Sequence, residues 1–195
     1  MYLLLLCSLT VAAIAIDRFL LYRRASHGAS ALEADVAAAL RKKKLDEVAP
    51  AVKGKDNMVA HLIQSAVDAR AAGEDVPMTL EAVYGEAAML LRARLNYLST
   101  IVTLAPLLGL LGTISGMIQS FSVFNLQAGQ PMAITGGIGE ALIATATGLL
   151  VAIFALVVHT YFAQRMDTML TLLEKTMNTL LAGFAANDGG RSHAS

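Results

Sequence analysis

The chain has 195 residues and a formal net charge of zero, with 56% hydrophobic and 15% charged residues. Its mean hydropathy of +0.59 is typical of a membrane protein. The single cysteine, Cys7, excludes a disulfide within the chain, and no spacing of Cys and His resembles a metal site. The sequence contains no phosphate-binding loop, nucleophile elbow or metalloprotease motif. We therefore expect no enzymatic activity, no cofactor, no metal and no nucleic-acid partner.

The first apolar segment comprises residues 1–22 and is followed directly by Arg23 and Arg24. A signal peptide carries its positive charge before the apolar run and a small-residue cleavage site after it. Because the positive charge here follows the run, we predict a retained transmembrane helix. Asp17 and Arg18, near its end, are expected to pair or to reach the membrane surface. The outer tail is either nearly absent or begins upstream of the first residue.

Residues 23–97 are predicted to form a helical domain in the cytoplasm. Ser30 followed by Glu33 is a capping-box pattern, which predicts a helix that begins there and reaches about Arg41. Pro50 and the polar run that follows it predict that this helix is broken.

A second helix of this domain is predicted over residues 58–72, and Gly73 is expected to end it. Residues 76–77, Val-Pro, predict another break. From Met78 onward no helix breaker occurs until Pro106. We therefore expect the second membrane helix to extend far into the cytoplasm.

Residues 98–124 and 137–162 form two long apolar segments, which are joined by a connector of residues 125–136. Each segment is long enough to cross a hydrocarbon core of about 30 Å, which takes about 20 helical residues. Glu140 is the single charged side chain in the two segments and their connector. A carboxylate inside a membrane segment costs about 2.5–3.5 kcal/mol on insertion scales. Glu140 is therefore the first candidate functional residue.

The third segment has one face of small residues and one of large residues. On a helical wheel the small and polar residues share an arc with Glu140: Ala141, Ala144, Thr145, Thr147, Gly148, Ala152 and Ala155, with Val151 and Val158. The opposite arc collects Leu142, Ile143, Leu149, Leu150, Ile153, Phe154, Leu156 and Val157. Large apolar residues suit lipid, whereas small residues allow helix backbones to approach closely. We predict lipid on one side, and a protein neighbour or a pore on the side of Glu140 and the threonines.

The second segment carries a ridge of small residues at spacings of four, three and four: Ala105, Gly109, Gly112 and Gly116. This spacing predicts close helix packing, as does Gly148 in the third segment. Pro106 removes one backbone hydrogen bond, a kink that neighbouring membrane helices accommodate.

A weaker polar stripe in the second segment consists of Ser99, Thr103, Thr113 and Ser120. Two interpretations of these hydroxyls remain open. Either they donate to carbonyls of their own helix and have no further role, or they form a polar surface opposite Glu140.

The positive charges predict the orientation of the chain. Twelve of the fifteen Lys and Arg residues precede the second span and three follow the third, whereas the connector has none. Positive residues stay in the cytoplasm, so we predict the N-terminus outside and residues 163–195 inside. After the third span, an apolar stripe predicts an amphipathic helix that packs on the cytoplasmic helices: Leu170, Leu173, Met177, Leu180, Leu181 and Phe184. The tail from Asn187 is expected to be disordered.

Two segments resemble the signatures of the MotA/TolQ/ExbB proton-channel family. Residues 105–121 read Ala-Pro-Leu-Leu-Gly-Leu-Leu-Gly-Thr-Ile-Ser-Gly-Met-Ile-Gln-Ser-Phe, and residues 137–149 read Gly-Ile-Gly-Glu-Ala-Leu-Ile-Ala-Thr-Ala-Thr-Gly-Leu. Three spans with a large inner domain fit the ExbB and TolQ branch, since MotA-type members have four spans. The two motifs leave ExbB and TolQ both open, and we favour ExbB.

The resemblance implies a homo-oligomeric ring, a pentamer, in the bacterial inner membrane. Such a ring encloses the membrane helix of a single-span partner similar to ExbD, whose membrane aspartate carries the proton. Proton flow would then drive a TonB-like energy transducer. By motif position, the resemblance implies that Thr113 and Thr145 face the pore and that Glu140 is the motif glutamate.

Two competing functions remain open at this stage. In a non-conducting scaffold, Glu140 would only bond a neighbouring helix. A small-solute transporter is disfavoured because the chain lacks the inverted repeats of such proteins. The small-residue face of the third span also predicts a ring, since we expect one three-span subunit to have too little surface to cover it.

Overall fold

The computed structural model describes residues 2–42, 48–126 and 131–192, with side chains described in 2–42, 48–122 and 136–187. Within these ranges the chain is all-α and has no strand, as predicted. Its helices are α1 (Tyr2–Ser26), α2 (Ala29–Arg41), α3 (Val48–Val52), α4 (Met58–Ala72), α5 (Val76–Arg92), α6 (Leu95–Leu126) and α7 (Pro131–Ser192). Three helical stretches are long and apolar enough to cross a membrane, and they contain α1, α6 and the first half of α7. The prediction of three membrane-spanning helices is confirmed in helix length and composition.

The chain divides into two compact units. The first, here called the apolar unit, contains the residues up to Arg18 together with Arg94–Ala163. The second, here called the polar unit, contains Phe19–Ala93 and the residues from Gln164 onward. Glu140 and the two small-residue ridges belong to the apolar unit.

The polar unit has a hydrophobic core of its own, to which α2, α3, α4, α5 and the end of α7 contribute. Its fully buried large side chains include Leu32, Leu62, Ile63, Leu80, Leu173 and Leu180. The apolar stripe predicted after the third span lies in this core, where Leu173, Leu180 and Phe184 recur at spacings of seven and four. The polar residues opposite this stripe are exposed. The predicted amphipathic helix and its packing are therefore confirmed.

The ends of α4 follow the sequence prediction. The Asn57 side chain caps the first turn, because its Oδ1 accepts a hydrogen bond of 2.8 Å from the backbone N–H of Ala60. Gly73 ends the helix with φ of 74°, a left-handed conformation that glycine adopts at little cost. In α5, Asp75 caps the first turn and Pro77 lies within it, where its missing N–H is not needed.

The capping box predicted at Ser30 and Glu33 is wrong. Helix α2 already begins at Ala29, because Gly28 adopts φ of 68° and turns the chain directly from α1 into α2. Glu33 is buried, and its Oε2 accepts a hydrogen bond of 3.2 Å from Nζ of Lys175. The carboxylate therefore binds a distant helix within the polar unit and does not cap its own helix.

The break expected at Pro50 and the polar run after it is confirmed for the run, because residues 53–57 separate α3 from α4, but not for Pro50 itself. Pro50 lies inside the short helix α3, in the first turn, where proline is tolerated because that turn requires no N–H donor.

The uninterrupted helix expected from Met78 through the second span is wrong. Helix α5 ends at Arg92, and Arg94 adopts φ of 66° before α6 begins at Leu95. A left-handed conformation costs a residue other than glycine about 1–2 kcal/mol. An ion pair offsets part of that cost, since Nη1 of Arg94 lies 2.8 Å from Oδ1 of Asp17.

The membrane helices are longer than the predicted spans. Helix α6 reaches Leu126 and passes through Pro106, and α7 begins at Pro131. The remainder of the predicted connector, residues 127–130, lies outside the described residues. Helix α7 continues to Ser192, and residues 193–195 of the tail expected to be disordered lie outside the described residues.

The Asp17 carboxylate holds two guanidinium groups in the apolar unit. Its Oδ2 lies 2.9 Å from Nη2 of Arg18, whose side chain is only 5% exposed, and its Oδ1 binds Arg94. The predicted pairing of Asp17 and Arg18 is confirmed.

Replacing Asp17 with asparagine should lower the free energy of unfolding by about 1–3 kcal/mol, because two cations lose their shared carboxylate. The thermal unfolding midpoint of the purified chain in mild detergent measures the change. Asp35→Asn is the matched control, since Asp35 is exposed on α2 and has no ion pair among the described residues. Equal midpoints for the two variants would contradict the assigned role of Asp17.

Candidate functional site

Helices α6 and α7 touch backbone to backbone at two glycines. A Cβ atom built on Gly148 would lie 2.7 Å from the carbonyl oxygen of Ala105 and 2.9 Å from Cα of Gly109. A Cβ atom on Gly109 would lie 3.1 Å from the carbonyl oxygen of Ala144 and from Cα of Thr145. Side chains at either glycine would therefore hold the two helices apart, and their absence permits the close contact.

The same contact continues along both helices in antiparallel register. A Cβ atom on Gly112 would lie 2.6 Å from Cβ of Ala144, and one on Gly116 would lie 3.0 Å from Cβ of Ala141. Farther along, a Cβ atom on Gly137 would overlap Oγ of Ser120. The ridge predicted in the second span, with Ala105 fully buried and Pro106 half-buried, therefore packs on α7 of the same chain.

Gly137 and Ser120 were not assigned to the packing surface from the sequence. The signal was present, because Gly137, Ala141, Ala144 and Gly148 repeat the spacings of four, three and four found in the second span. Two ridges with the same spacing can interlock along their whole length when the helices run antiparallel. Ser120 is buried and donates a hydrogen bond of 2.8 Å to the carbonyl of Gly116, which satisfies its hydroxyl at the contact.

The small-residue face of α7 is covered within a single chain. Its buried members are Ala141, Ala144, Gly148, Val151, Ala152 and Ala155. The expectation that one three-span subunit has too little surface to cover this face is therefore wrong, because α6 offers a complementary ridge. The large residues on the opposite arc are exposed, as predicted for a surface that faces lipid.

The three candidate threonines are half-buried and make two kinds of hydrogen bond. The hydroxyl of Thr145 donates to the carbonyl of Gly109 across the helix contact, at 3.1 Å. The hydroxyls of Thr113 and Thr147 donate to carbonyls of their own helices, Leu110 and Ile143, each at 2.7 Å. Thr145 thus reinforces the α6–α7 contact, whereas Thr113 and Thr147 make the local bonds that the simpler interpretation expected.

Glu140 lies beside this contact but not in it. Ala141 and Ala144, on the same stretch of α7, face α6, whereas the Glu140 side chain is exposed. No hydrogen bond or ion pair joins Glu140 to another part of the described chain. The described residues also contain no group of three His, Cys, Asp or Glu side chains that could hold a metal ion. The chain therefore presents a carboxylate outward from its most apolar unit.

Residues 51–175 match the model of the MotA/TolQ/ExbB proton channel family. The chain belongs to this family. The match includes α6, the first half of α7 and about half of the polar unit, so the packed helix pair and Glu140 both lie within the family region.

Individual relatives in this family match shorter stretches. The chain is 55% identical over 65 residues to the biopolymer transport protein ExbB-like 1 of Synechocystis sp., covering 31% of this chain and 26% of that protein. It is 39% identical over 74 residues to the biopolymer transport protein ExbB of Salmonella typhimurium, covering 37% of this chain and 30% of that protein. It is 33% identical over 108 residues to the Tol-Pal system protein TolQ of Pseudomonas aeruginosa, covering 55% of this chain and 47% of that protein. These matches span between a quarter and a half of the length of each relative.

Replacing Gly148 with alanine should lower the free energy of unfolding by about 1–3 kcal/mol, because the added methyl group meets backbone atoms that cannot rotate away. The thermal unfolding midpoint in mild detergent measures the loss. Gly139→Ala on the same helix is the control, since a Cβ atom there has no neighbour within 4 Å. Alanine at position 139 should be neutral or stabilising, because it favours a helix over glycine. A Gly148→Ala variant as stable as the Gly139→Ala variant would contradict the backbone contact.

Proposed function

We propose that this protein is a proton-conducting subunit of an ExbB–ExbD-type complex in the bacterial inner membrane. In this proposal the complex uses the proton motive force to energise TonB-dependent transport across the outer membrane. The observation that carries the proposal is the exposed Glu140 carboxylate in an otherwise uncharged pair of membrane helices. Membership in a family of proton channels also supports proton conduction.

An exposed carboxylate at membrane depth requires a partner that the described part of the chain does not supply. As a neutral acid, Glu140 can donate one hydrogen bond to a neighbouring chain. As a carboxylate, it needs a cation, several donors or water, and the sequence between Leu95 and Gln164 contains no Lys or Arg. In either state Glu140 would be stabilised by a second chain or a water-filled lumen, and this requirement supports a proton-coupled role.

The proposed assembly is a homo-oligomeric ring, a pentamer, around an ExbD-like single-span partner with a membrane aspartate. Exposed apolar side chains on α6 and α7 support this, since they leave surface for both lipid and neighbouring subunits: Leu107, Leu111, Ile118, Leu142, Leu150 and Val157. The small-residue ridges no longer serve as the argument for the ring, because they pack within one chain. The distribution of positive charge supports a periplasmic N-terminus in this proposal.

A TolQ-type role in a Tol–Pal envelope system is the second candidate. The match to the Pseudomonas aeruginosa TolQ favours it, because that match covers 55% of this chain. A non-conducting scaffold is the third. In that role Glu140 would only donate a hydrogen bond to a neighbouring helix.

Glutamine and alanine at position 140 separate these roles. Glu140→Gln keeps the shape and a hydrogen-bond donor but cannot exchange a proton, so the complex should assemble while proton-driven work falls on the order of 100-fold. Partner-dependent uptake through TonB-dependent receptors, and resistance of the envelope to detergent, should be measured in cells that lack their own ExbB and TolQ. Loss of uptake alone supports the ExbB-type role, and loss of detergent resistance alone supports the TolQ-type role.

The control for this experiment is Glu174→Gln, an exposed carboxylate on the same helix in the polar unit. It should leave both activities unchanged. A Glu140→Gln variant with full activity, beside an inactive Glu140→Ala variant, would identify a scaffold and overturn proton conduction.

Valine substitutions of the three threonines should have different effects, because their hydroxyls make different hydrogen bonds. Thr145→Val should lower the unfolding midpoint slightly, by about 0.5–1.5 kcal/mol in free energy, because one bond between α6 and α7 is lost. Thr113→Val should leave stability unchanged but reduce partner-dependent uptake, if its hydroxyl reaches the lumen as the family motif implies. Thr147→Val is the control for stability, because it removes only a hydrogen bond to the backbone of its own helix. Wild-type uptake in both the Thr113 and Thr145 variants would contradict their assignment to the pore.

A further inference from the structure

A cavity of about 550 Å³ lies in the polar unit, between the end of α1 and the loop that precedes α4. Arg23, Arg24 and His27 line it from α1 and the turn that follows, and Lys55 and Asp56 line it from the loop. The cavity thus gathers three permanent positive charges and one negative charge from segments about thirty residues apart in sequence.

The two walls of this cavity are fixed to one another. The nearly buried side chain of Asn57 donates a hydrogen bond of 3.1 Å from Nδ2 to the carbonyl of His27, while its Oδ1 caps α4. Gly28 and Gly54, with φ of 68° and 82°, turn the chain on either side. The cationic side chains therefore surround a cavity whose backbone frame is held by a hydrogen bond between its walls.

The cations around this cavity differ from three other cations of the protein, which do form ion pairs. Arg18, Arg94 and Lys175 each lie within 3.2 Å of a carboxylate oxygen. Arg23, Arg24 and Lys55 form no ion pair with any described carboxylate, although Asp56 lines the same cavity. Gathering three cations around one space costs electrostatic repulsion. A bound anion would offset that cost.

The position of the cavity along the chain indicates which anion it meets. Arg23 directly follows the apolar segment that ends at Tyr22, and each further helical residue adds about 1.5 Å. Arg23 and Arg24 therefore lie at the level of the lipid headgroups. Guanidinium groups bind phosphate oxygens through paired hydrogen bonds, and lysine adds a point charge.

We infer that this cavity binds a phosphate-bearing anion, which is either the headgroup of an anionic phospholipid or a soluble phosphate. The inference does not depend on proton conduction, because the cavity lies in the polar unit and contains neither Glu140 nor the candidate threonines. Lys55 supplies the sharpest test, since it lies on the loop and can be changed without altering the positive charges that orient the first span.

The lipid arm uses the full chain in nanodiscs made from an equimolar mixture of phosphatidylglycerol and phosphatidylcholine. After release in mild detergent, native mass spectrometry counts each lipid that remains bound. The wild type should retain phosphatidylglycerol preferentially, and Lys55→Gln should weaken that preference about fivefold. Lys55→Arg keeps the charge and should retain it. Asp56→Asn removes the opposing carboxylate and should strengthen the preference by a similar factor.

Lys53→Gln is the matched control, because Lys53 is exposed two residues away, carries the same charge and does not line the cavity. It should leave the lipid preference unchanged. Equal losses in the Lys53 and Lys55 variants would mean that net charge alone attracts the lipid, and would overturn the site.

The soluble arm uses nanodiscs of phosphatidylcholine alone, with inorganic phosphate added. A rise in the unfolding midpoint that Lys55→Gln reduces and Lys53→Gln does not would support a soluble phosphate as the ligand. Lipid preference without this rise would support the headgroup. Neither a phosphatidylglycerol preference nor a phosphate effect in the wild type would overturn the inference.

Discussion

The close contact between Gly109 and Gly148 is the constraint on which the apolar unit depends. Lipid tails are as apolar as leucine side chains, so helices in a membrane gain little from simply burying apolar surface. Their association depends on dispersion contacts, which fall away over fractions of an ångström. Because two glycines and the flanking alanines let the backbones meet, α6 and α7 gain these contacts along the whole ridge. Thr145 adds a hydrogen bond across the same contact.

This contact also determines which surface remains for other chains. Once Ala141, Ala144 and Gly148 face α6, the helical period of α7 leaves Glu140 at the edge of the contact and exposed. A carboxylate in the contact itself would meet backbone carbonyls, which cannot donate to it, and the hydroxyls of Thr145 and Ser120, which already donate to carbonyls. The packing therefore leaves the one acidic group of the second and third spans exposed at the surface of the described chain. The proposed proton-coupled role depends on this placement more than on any single hydrogen bond.

Two carboxylates away from the α6–α7 contact form ion pairs that join helices. Asp17 joins the end of the first span to Arg94 at the start of α6, and Glu33 joins α2 to Lys175 of α7. Both carboxylates are thereby committed to structural pairs, each within its own unit. The cations around the cavity at the end of α1 form no such pair within the described residues, and this difference is the reason we infer a ligand site there.

Residue composition and periodicity were sufficient to predict three helices long and apolar enough to cross a membrane, the amphipathic end of α7, and the α4 helix with its glycine stop. They also singled out Glu140 as a candidate residue. All of these depend on local chemistry, namely length, apolar content and a repeat of 3.6 residues. Tertiary structure alone decided that the small face of α7 is covered by α6 of the same chain, that Arg94 interrupts the long second helix, and that Glu33 binds Lys175 instead of capping α2. In each case a residue had two chemically acceptable partners or conformations, and the choice was made by a segment distant in sequence, whose position no local pattern encodes.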